Sequence, residues 1–271
     1  MLPTCETLKL ELDRGVLHLT LSRPAKRNAM NTQMVDELIS VLDALVDDVQ
    51  VRAILLRGEG GNFCAGGDIS GMQKESHHPD DGKDASWRFN RSFGTLISKL
   101  NRAPQLTICV LNGAVLGGGF GLACASDWAI AYENAMFAMP ETGLGIIPAQ
   151  IAPFVVARIG LTQARQLALF GLRINGQRAQ QLGLAHQMVN DDAEAEQAVT
   201  KVLELARKVG PAATRVTKQL IHDVNETLVI DSILDRAADD FSAAISSAEG
   251  QEGTKAFIEK RKPSWVLSEE A

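Results

Sequence analysis

Long apolar runs are missing from this chain of 271 residues, and no stretch approaches the roughly eighteen consecutive apolar residues that a membrane helix needs. Positive charge is not in excess either. Lys and Arg number 27 against 33 Asp and Glu, and the net charge of −6 favours solubility and disfavours a nucleic-acid partner. Cysteine is sparse. Cys5, Cys64, Cys109 and Cys124 show neither zinc-like pairing nor the density of a disulfide scaffold, and read as reduced thiols of a cytoplasmic protein. The opening MLPTCETLKLELDRG lacks the basic start and apolar core of a secretory leader. No repeat and no low-complexity tract is legible. Apolar content of 45% is ordinary for a globular protein, and the length suits one large domain or a domain with an appendage.

The stretch from Ala103 to Pro148 organises the rest. Leu106 to Leu111 is a short run rich in branched residues, the pattern of a buried strand. Gly117, Gly118 and Gly119 follow, then Phe120 to Ser126, small and apolar enough for a buried helix. Three glycines at a strand-to-helix turn let backbone approach a ligand closely, and the helix start offers free N–H groups to a phosphate or a developing oxyanion. They are equally compatible with a tight turn and close packing. A second glycine-rich turn, Arg57 to Ile69, also follows a strand-like run, Val51 to Leu56.

Elsewhere, Leu8 to Leu12 and Val16 to Leu21 read as a hairpin around Asp13-Arg14-Gly15. Asn31 or Thr32 can cap a helix whose apolar positions are Met34, Leu38, Val41, Leu42 and Leu45. Phe89, Phe93, Leu96, Ile97 and Leu100 have the spacing of another. Trp128 to Tyr132 and Met136 to Met139 read as short strands, and Thr162 as the cap of a helix ending at Gly171. His77 and His78 lie beside Asp80 and Asp81, but adjacent residues rarely converge on one ion. That segment reads as a surface loop, and no metal site is expected.

Four motifs, SRPAKRNAM (Ser22 to Met30), FCAGGDI (Phe63 to Ile69), NGAVLGGGFGLACASD (Asn112 to Asp127) and PETGLGIIP (Pro140 to Pro148), occur in an order that resembles the crotonase, or enoyl-CoA hydratase/isomerase, superfamily. The resemblance implies an α/β fold, a spiral of ββα units over residues 1–191. It also implies about three C-terminal trimerisation helices over 192–271, divided by Pro211 and Glu249-Gly250. Val202, Leu205 and Val209 would then offer apolar faces to partner chains, in a homotrimer or a dimer of trimers.

The same resemblance assigns the site. The amides of Gly67 and Gly118 would form an oxyanion hole for a thioester carbonyl, and Glu141 would be the catalytic acid–base, its pKa raised by partial burial. Lys26, Arg27 and Arg23 would lie near the CoA phosphates. Backbone near Ala29, Ala65, Asp68 and Ile69 would line the CoA pocket, with Gly66, Gly117 and Gly121 flanking the acyl group. CoA arrives with the substrate, so no separate cofactor is implied.

Two departures narrow the reading. Where enoyl-CoA hydratases carry a second glutamate, in GGGxE, this chain has Gly121, which is expected to vacate volume beside C3 for a branched acyl group. Where they have a glycine-rich PGxGG run, it has Pro148-Ala149-Gln150-Ile151-Ala152-Pro153-Phe154, similar to hydratases of 3-methylglutaconyl-CoA and isohexenylglutaconyl-CoA in leucine and acyclic terpene catabolism. The implied activity is hydration of a 3-branched enoyl-CoA. A single-glutamate Δ3,Δ2-enoyl-CoA isomerase is the alternative. A non-catalytic acyl-CoA or RNA-binding protein is a third, disfavoured by the acidic balance and by Glu141.

Overall fold

Successive residues of the central strands are apolar on both phases of the pleat, which demands cover on both faces of a sheet. The computed structural model describes residues 2–68, 84–226 and 230–266 and supplies that cover. Six strands run in the order β1 (Leu8–Asp13), β2 (Val16–Leu21), β3 (Ala53–Gly58), β4 (Leu106–Leu111), β6 (Trp128–Tyr132) and β9 (Gln187–Val189). Only the β1–β2 hairpin is antiparallel. Ile54, Leu56, Cys109, Leu111 and Ala129 face the main core, while Ala53, Leu55, Ile108, Val110 and Ile130 face the opposite side.

A second sheet of three strands holds β5 (Ala114–Leu116), β7 (Met136–Ala138) and β8 (Arg173–Ile174). After β4 and again after β6 the chain crosses from the large sheet to the small one before entering a helix. This is the ββα spiral expected from the motifs. Helix α1 (Thr32–Leu45) is capped by Asn31, whose side chain accepts from Met34 N–H, and it buries the five apolar positions expected plus Val35. Helices α2 (Ala85–Asn101) and α3 (Gly118–Ala125) close the main core beside it. The His77-His78 segment lies outside the described residues.

Two helical expectations change. The segment α4 (Ala152–Phe170) is two helices joined at Gly160, where φ is +75°; the second is the helix expected from Thr162 to Gly171, and the first, from Ala152, is unexpected. Pro153 sits in its first turn, where a missing N–H costs nothing. Beyond α5 (Gly176–Gln181), four helices are described rather than three: α6 (Asp192–Lys208), α7 (Pro211–Glu226), α8 (Ile230–Ser246) and α9 (Ala248–Ile258). Ser247, not Glu249-Gly250, makes the α8–α9 break, and its side chain caps α9.

One face of helix α6 is taken up within the chain. Its Ala195, Ala198, Val199, Val202 and Leu203 cover the second face of the large sheet, so Val202 is spent there while Leu205 and Val209 stay exposed. Arg52 holds its end, donating to the carbonyls of Ala206 and Arg207 at 3.3 Å and of Val209 at 2.7 Å. Helix α7 is tied in by Lys218, buried with its ammonium 2.7 Å from Asp127 Oδ2 and 3.1 Å from the Gln105 carbonyl.

Candidate active site

The two glycine-rich turns meet. A Cβ on Gly117 would lie 3.7 Å from Gly66 Cα, and one on Gly66 would lie 3.3 Å from the Leu116 carbonyl oxygen. Gly117 has φ +48° and Gly66 has φ +100°, so side chains are excluded here by conformation as well as by space.

The Gly67 N–H is aimed by its neighbours. Met30 N–H donates to Gly66 O and Asp68 N–H to Met30 O, both at 2.8 Å, in an isolated parallel bridge between Met30 and Gly67. In such a pairing the residue between the two bonds turns its own N–H and C=O to the other side. Gly67 N–H accordingly finds no acceptor among the described residues, and Gly67 is exposed. On the other flank Cys64 pairs with Val115, its N–H reaching Ala114 O at 2.8 Å and its carbonyl accepting from Leu116 N–H at 2.9 Å. Residues 64–67 are thus knitted between the Met30 loop and the strand that leads into the glycine triplet. Gly118 is the first residue of α3, where N–H groups have no partner within the helix. Both amides lie on the two glycine-rich turns that meet here, without an acceptor among the described residues.

Glu141 follows β7 in a 3₁₀ turn, Glu141–Leu144. A Cβ on Gly117 would lie 2.8 Å from its Oε1, which places the carboxylate against the glycine triplet. Its Oε2 is buried and has no hydrogen-bond partner among the described residues. Burial raises its pKa, with its own backbone N–H opposing. A desolvated carboxyl with one open oxygen holds its proton more readily than an exposed one and is suited to taking up and releasing it.

Helix α2 borders the same glycine-rich turns. Phe89 Cε1 lies 3.7 Å from where a Gly67 Cβ would be, and a Cβ on Gly118 would lie 2.5 Å from Met30 Cε and 3.2 Å from the Phe93 ring. Among the described residues no cluster of three or more His, Cys, Asp or Glu could hold a metal ion.

The vacated volume expected at Gly121 does not exist. A Cβ there would overlap Ile151 Cγ2 and lie 3.0 Å from both Ile151 Cβ and Ile97 Cδ1. Ile151, from the PAQIAPF turn that opens α4, drops into the space a glutamate would need. Gly121 itself is buried, so it shapes the site only through Ile151 and Ile97.

The basic loop also divides. Lys26 and Arg27 are exposed and make no ion pair among the described residues, which leaves them free for a polyphosphate. Arg23 instead turns inward to Asp68 and to the Ala29 carbonyl. Ala29 and Ala65 spend their N–H groups on Lys26 O and Arg27 O. Ile69 lies outside the described residues. Two features escaped the sequence. Asn28, fully buried at φ +55°, donates to Glu59 O and Asn62 O and accepts from Arg23 N–H, and its position five residues after Arg23 was the available signal. Gln150 donates to Asn90 Oδ1 at 2.9 Å over Gly94, where a Cβ would collide with it, and no local pattern announces that contact.

The family model described as enoyl-CoA hydratase/isomerase matches residues 11–267. The chain is 32% identical over 265 residues to the 1,2-epoxyphenylacetyl-CoA isomerase of Escherichia coli (strain K12), covering 96% of this chain and 98% of that protein. It is 33% identical over 260 residues to the mitochondrial methylglutaconyl-CoA hydratase of Mus musculus, covering 93% of this chain and 80% of that one. The crystal structure of an enoyl-CoA hydratase/isomerase from Marinobacter aquaeolei is 48% identical and superposes with a TM-score of 0.92, covering 97% of this chain and all of the other.

Proposed function

The chain belongs to the enoyl-CoA hydratase/isomerase family, and from that premise we propose that it adds water across the C2–C3 double bond of a 3-branched glutaconyl-CoA. The observation that carries the reading is a single half-buried carboxyl, Glu141, with an open oxygen beside two unpaired amides.

The thioester carbonyl accepts from Gly67 and Gly118 N–H, and a water molecule sits at Glu141. Glu141 takes a proton from the water as its oxygen attacks C3, and the electron pair of the double bond moves toward the carbonyl oxygen. Glu141 then delivers the proton to C2. With no second carboxylate at Gly121, one group serves both proton transfers. Each amide acts where negative charge develops, and the loss of one such donor typically costs about 3–4 kcal/mol of barrier. Buried Ile97 and Ile151 fill the space where a second glutamate would stand, so an apolar wall replaces a charge there. That suits an alkyl branch at C3 and spares a glutaconyl carboxylate the repulsion of a second charge. Exposed Lys26 and Arg27 suit the CoA phosphates.

Exposed apolar side chains on α7 and α8, Ile221, Val224, Leu234 and Phe241 among them, support assembly into trimers or pairs of trimers. No described helix is long and apolar enough to cross a membrane. The free cysteines and the acidic balance support a cytoplasmic location.

A turnover panel tests the reading. With the conjugated thioesters of the panel, crotonyl-, 3-methylglutaconyl- and isohexenylglutaconyl-CoA, absorbance should fall, and the 3-enoyl thioester should show no change. One of the branched substrates should exceed crotonyl-CoA in kcat/KM by at least about tenfold, or about 1.4 kcal/mol. Equal or better use of crotonyl-CoA would remove the branched substrate from the reading. A rise in conjugated absorbance from the 3-enoyl thioester would establish the isomerase instead, for which the lone carboxyl is also sufficient.

The pH profile is a second check. Glu141 must be ionised to accept the first proton, so kcat/KM should fall about tenfold per pH unit on the acid side of its pKa. Because burial raises that pKa above the ordinary glutamate value of 4.5, the acid limb should lie above that value. A profile flat down to pH 4.5 would exclude Glu141 as the base.

A further inference from the structure

Arg23 stands apart from the other cations of its loop. Its side chain is 19% exposed and that of its partner Asp68 13%, unlike the exposed Lys26 and Arg27. One terminal nitrogen donates to the Ala29 carbonyl, and the other lies 3.0 Å from Asp68 Oδ2. Ala29 immediately precedes Met30, and Asp68 immediately follows Gly67. Met30 and Gly67 are the two members of the isolated bridge that aims the Gly67 N–H. The guanidinium therefore spans that bridge, with one arm on each strand.

The bridge needs such help. It is an isolated bridge among the described residues, flanked only by the Ala65 N–H bond to Arg27 O, and Gly66 and Gly67 have no side chains to restrict their rotation. A turn of the peptide between them would swing the donor away from the thioester oxygen. A planar guanidinium fixes two acceptors at a set separation, which a lysine ammonium, a point charge on a flexible stem, does not.

We propose that Arg23, acting through Asp68 and Ala29, is a positioning residue that holds the Gly67 amide in its oxyanion-binding orientation, and that it does not bind the CoA phosphates. The inference rests on the reading of Gly67 as a donor to the thioester oxygen. A positioning residue of this kind acts on the transition state more than on ground-state binding, because the carbonyl oxygen gains its charge only during reaction.

The test uses Arg23→Lys and Asp68→Asn in the full chain, with the best substrate of the turnover panel. Arg23→Lys should lower kcat about tenfold or more while KM stays within about threefold. Asp68→Asn should shift kcat in the same direction by less. Affinity for CoA itself, measured by titration calorimetry, should be unchanged in both. A phosphate ligand would give the opposite split: KM raised, kcat kept, and CoA affinity reduced. That split overturns the proposal, as does kcat within twofold of the parent in both folded variants. If Arg23→Lys does not fold, Asp68→Asn carries the test. Failure of both to fold also counts against it, since a local staple leaves the core intact. A parent inactive on every thioester of the panel would sink the functional reading and this inference with it, whereas an active parent with unimpaired variants sinks the staple alone.

Discussion

Glu141→Gln is expected to turn over its enoyl-CoA at least about a hundredfold more slowly than the parent while binding acyl-CoA as tightly. Glutamine keeps the shape and the hydrogen-bonding reach of the side chain but cannot take a proton from water. No second carboxylate stands by, because Gly121 occupies the position where one would be and Ile151 and Ile97 fill the space above it. Stopped-flow absorbance gives kcat, and calorimetry with a saturated acyl-CoA gives the affinity. A folded variant with kcat within tenfold of the parent would leave Glu141 without its acid–base role.

The second large effect is on the fold. Gly121→Glu, which recreates the sequence pattern of a two-glutamate hydratase, is expected to destabilise the protein by about 3 kcal/mol or more. Overpacking a filled core typically costs about 1–3 kcal/mol, and an unpartnered carboxylate between Ile97 and Ile151 adds to that. In a chain of this size each kcal/mol moves the thermal midpoint by roughly 2–4 °C, so a fall of at least about 6 °C is expected. Differential scanning calorimetry reads it directly. A midpoint within about 2 °C of the parent, with crotonyl-CoA hydration gained, would show that the pocket opens to admit the glutamate. The corresponding correction is to Ile151: a second substitution there, Ile151→Ala with Gly121→Glu, should recover part of the loss.

Local chemistry made much of the fold legible. Asn31 announced α1 because a cap is a matter of a few adjacent residues, and the spacing of Phe93, Leu96, Ile97 and Leu100 announced α2 because one face of a helix repeats every turn. The glycine triplet and Glu141 were found through motifs that match a family, and composition alone would not have placed them together. The failures share a cause. Helix α4 was missed before Thr162 because Gly160 breaks the periodicity in its middle. Val202 looked like a partner-facing residue because sequence records that a helix has an apolar stripe, not which surface the stripe meets. Gly121 looked like an empty volume because the residue that fills it, Ile151, lies far along the chain. Arg23 was grouped with Lys26 and Arg27 by charge, although its neighbour Asn28 holds the loop in a shape that turns it inward.

The two isolated bridges that hold residues 64–67 also bear on the order in which the molecule assembles. Met30 and Val115, their partners, belong to different turns of the spiral, and neither bridge is extended by a longer ladder. Contacts of that kind close long loops and return little until the surrounding strands have already been fixed, so they form late. A nascent chain can therefore complete its large sheet and bury most of its core while its donors still point at random. Activity is then expected to be lost at a lower denaturant concentration than the ellipticity of the sheet, because these short bridges hold the donors with less pairing than the sheet has.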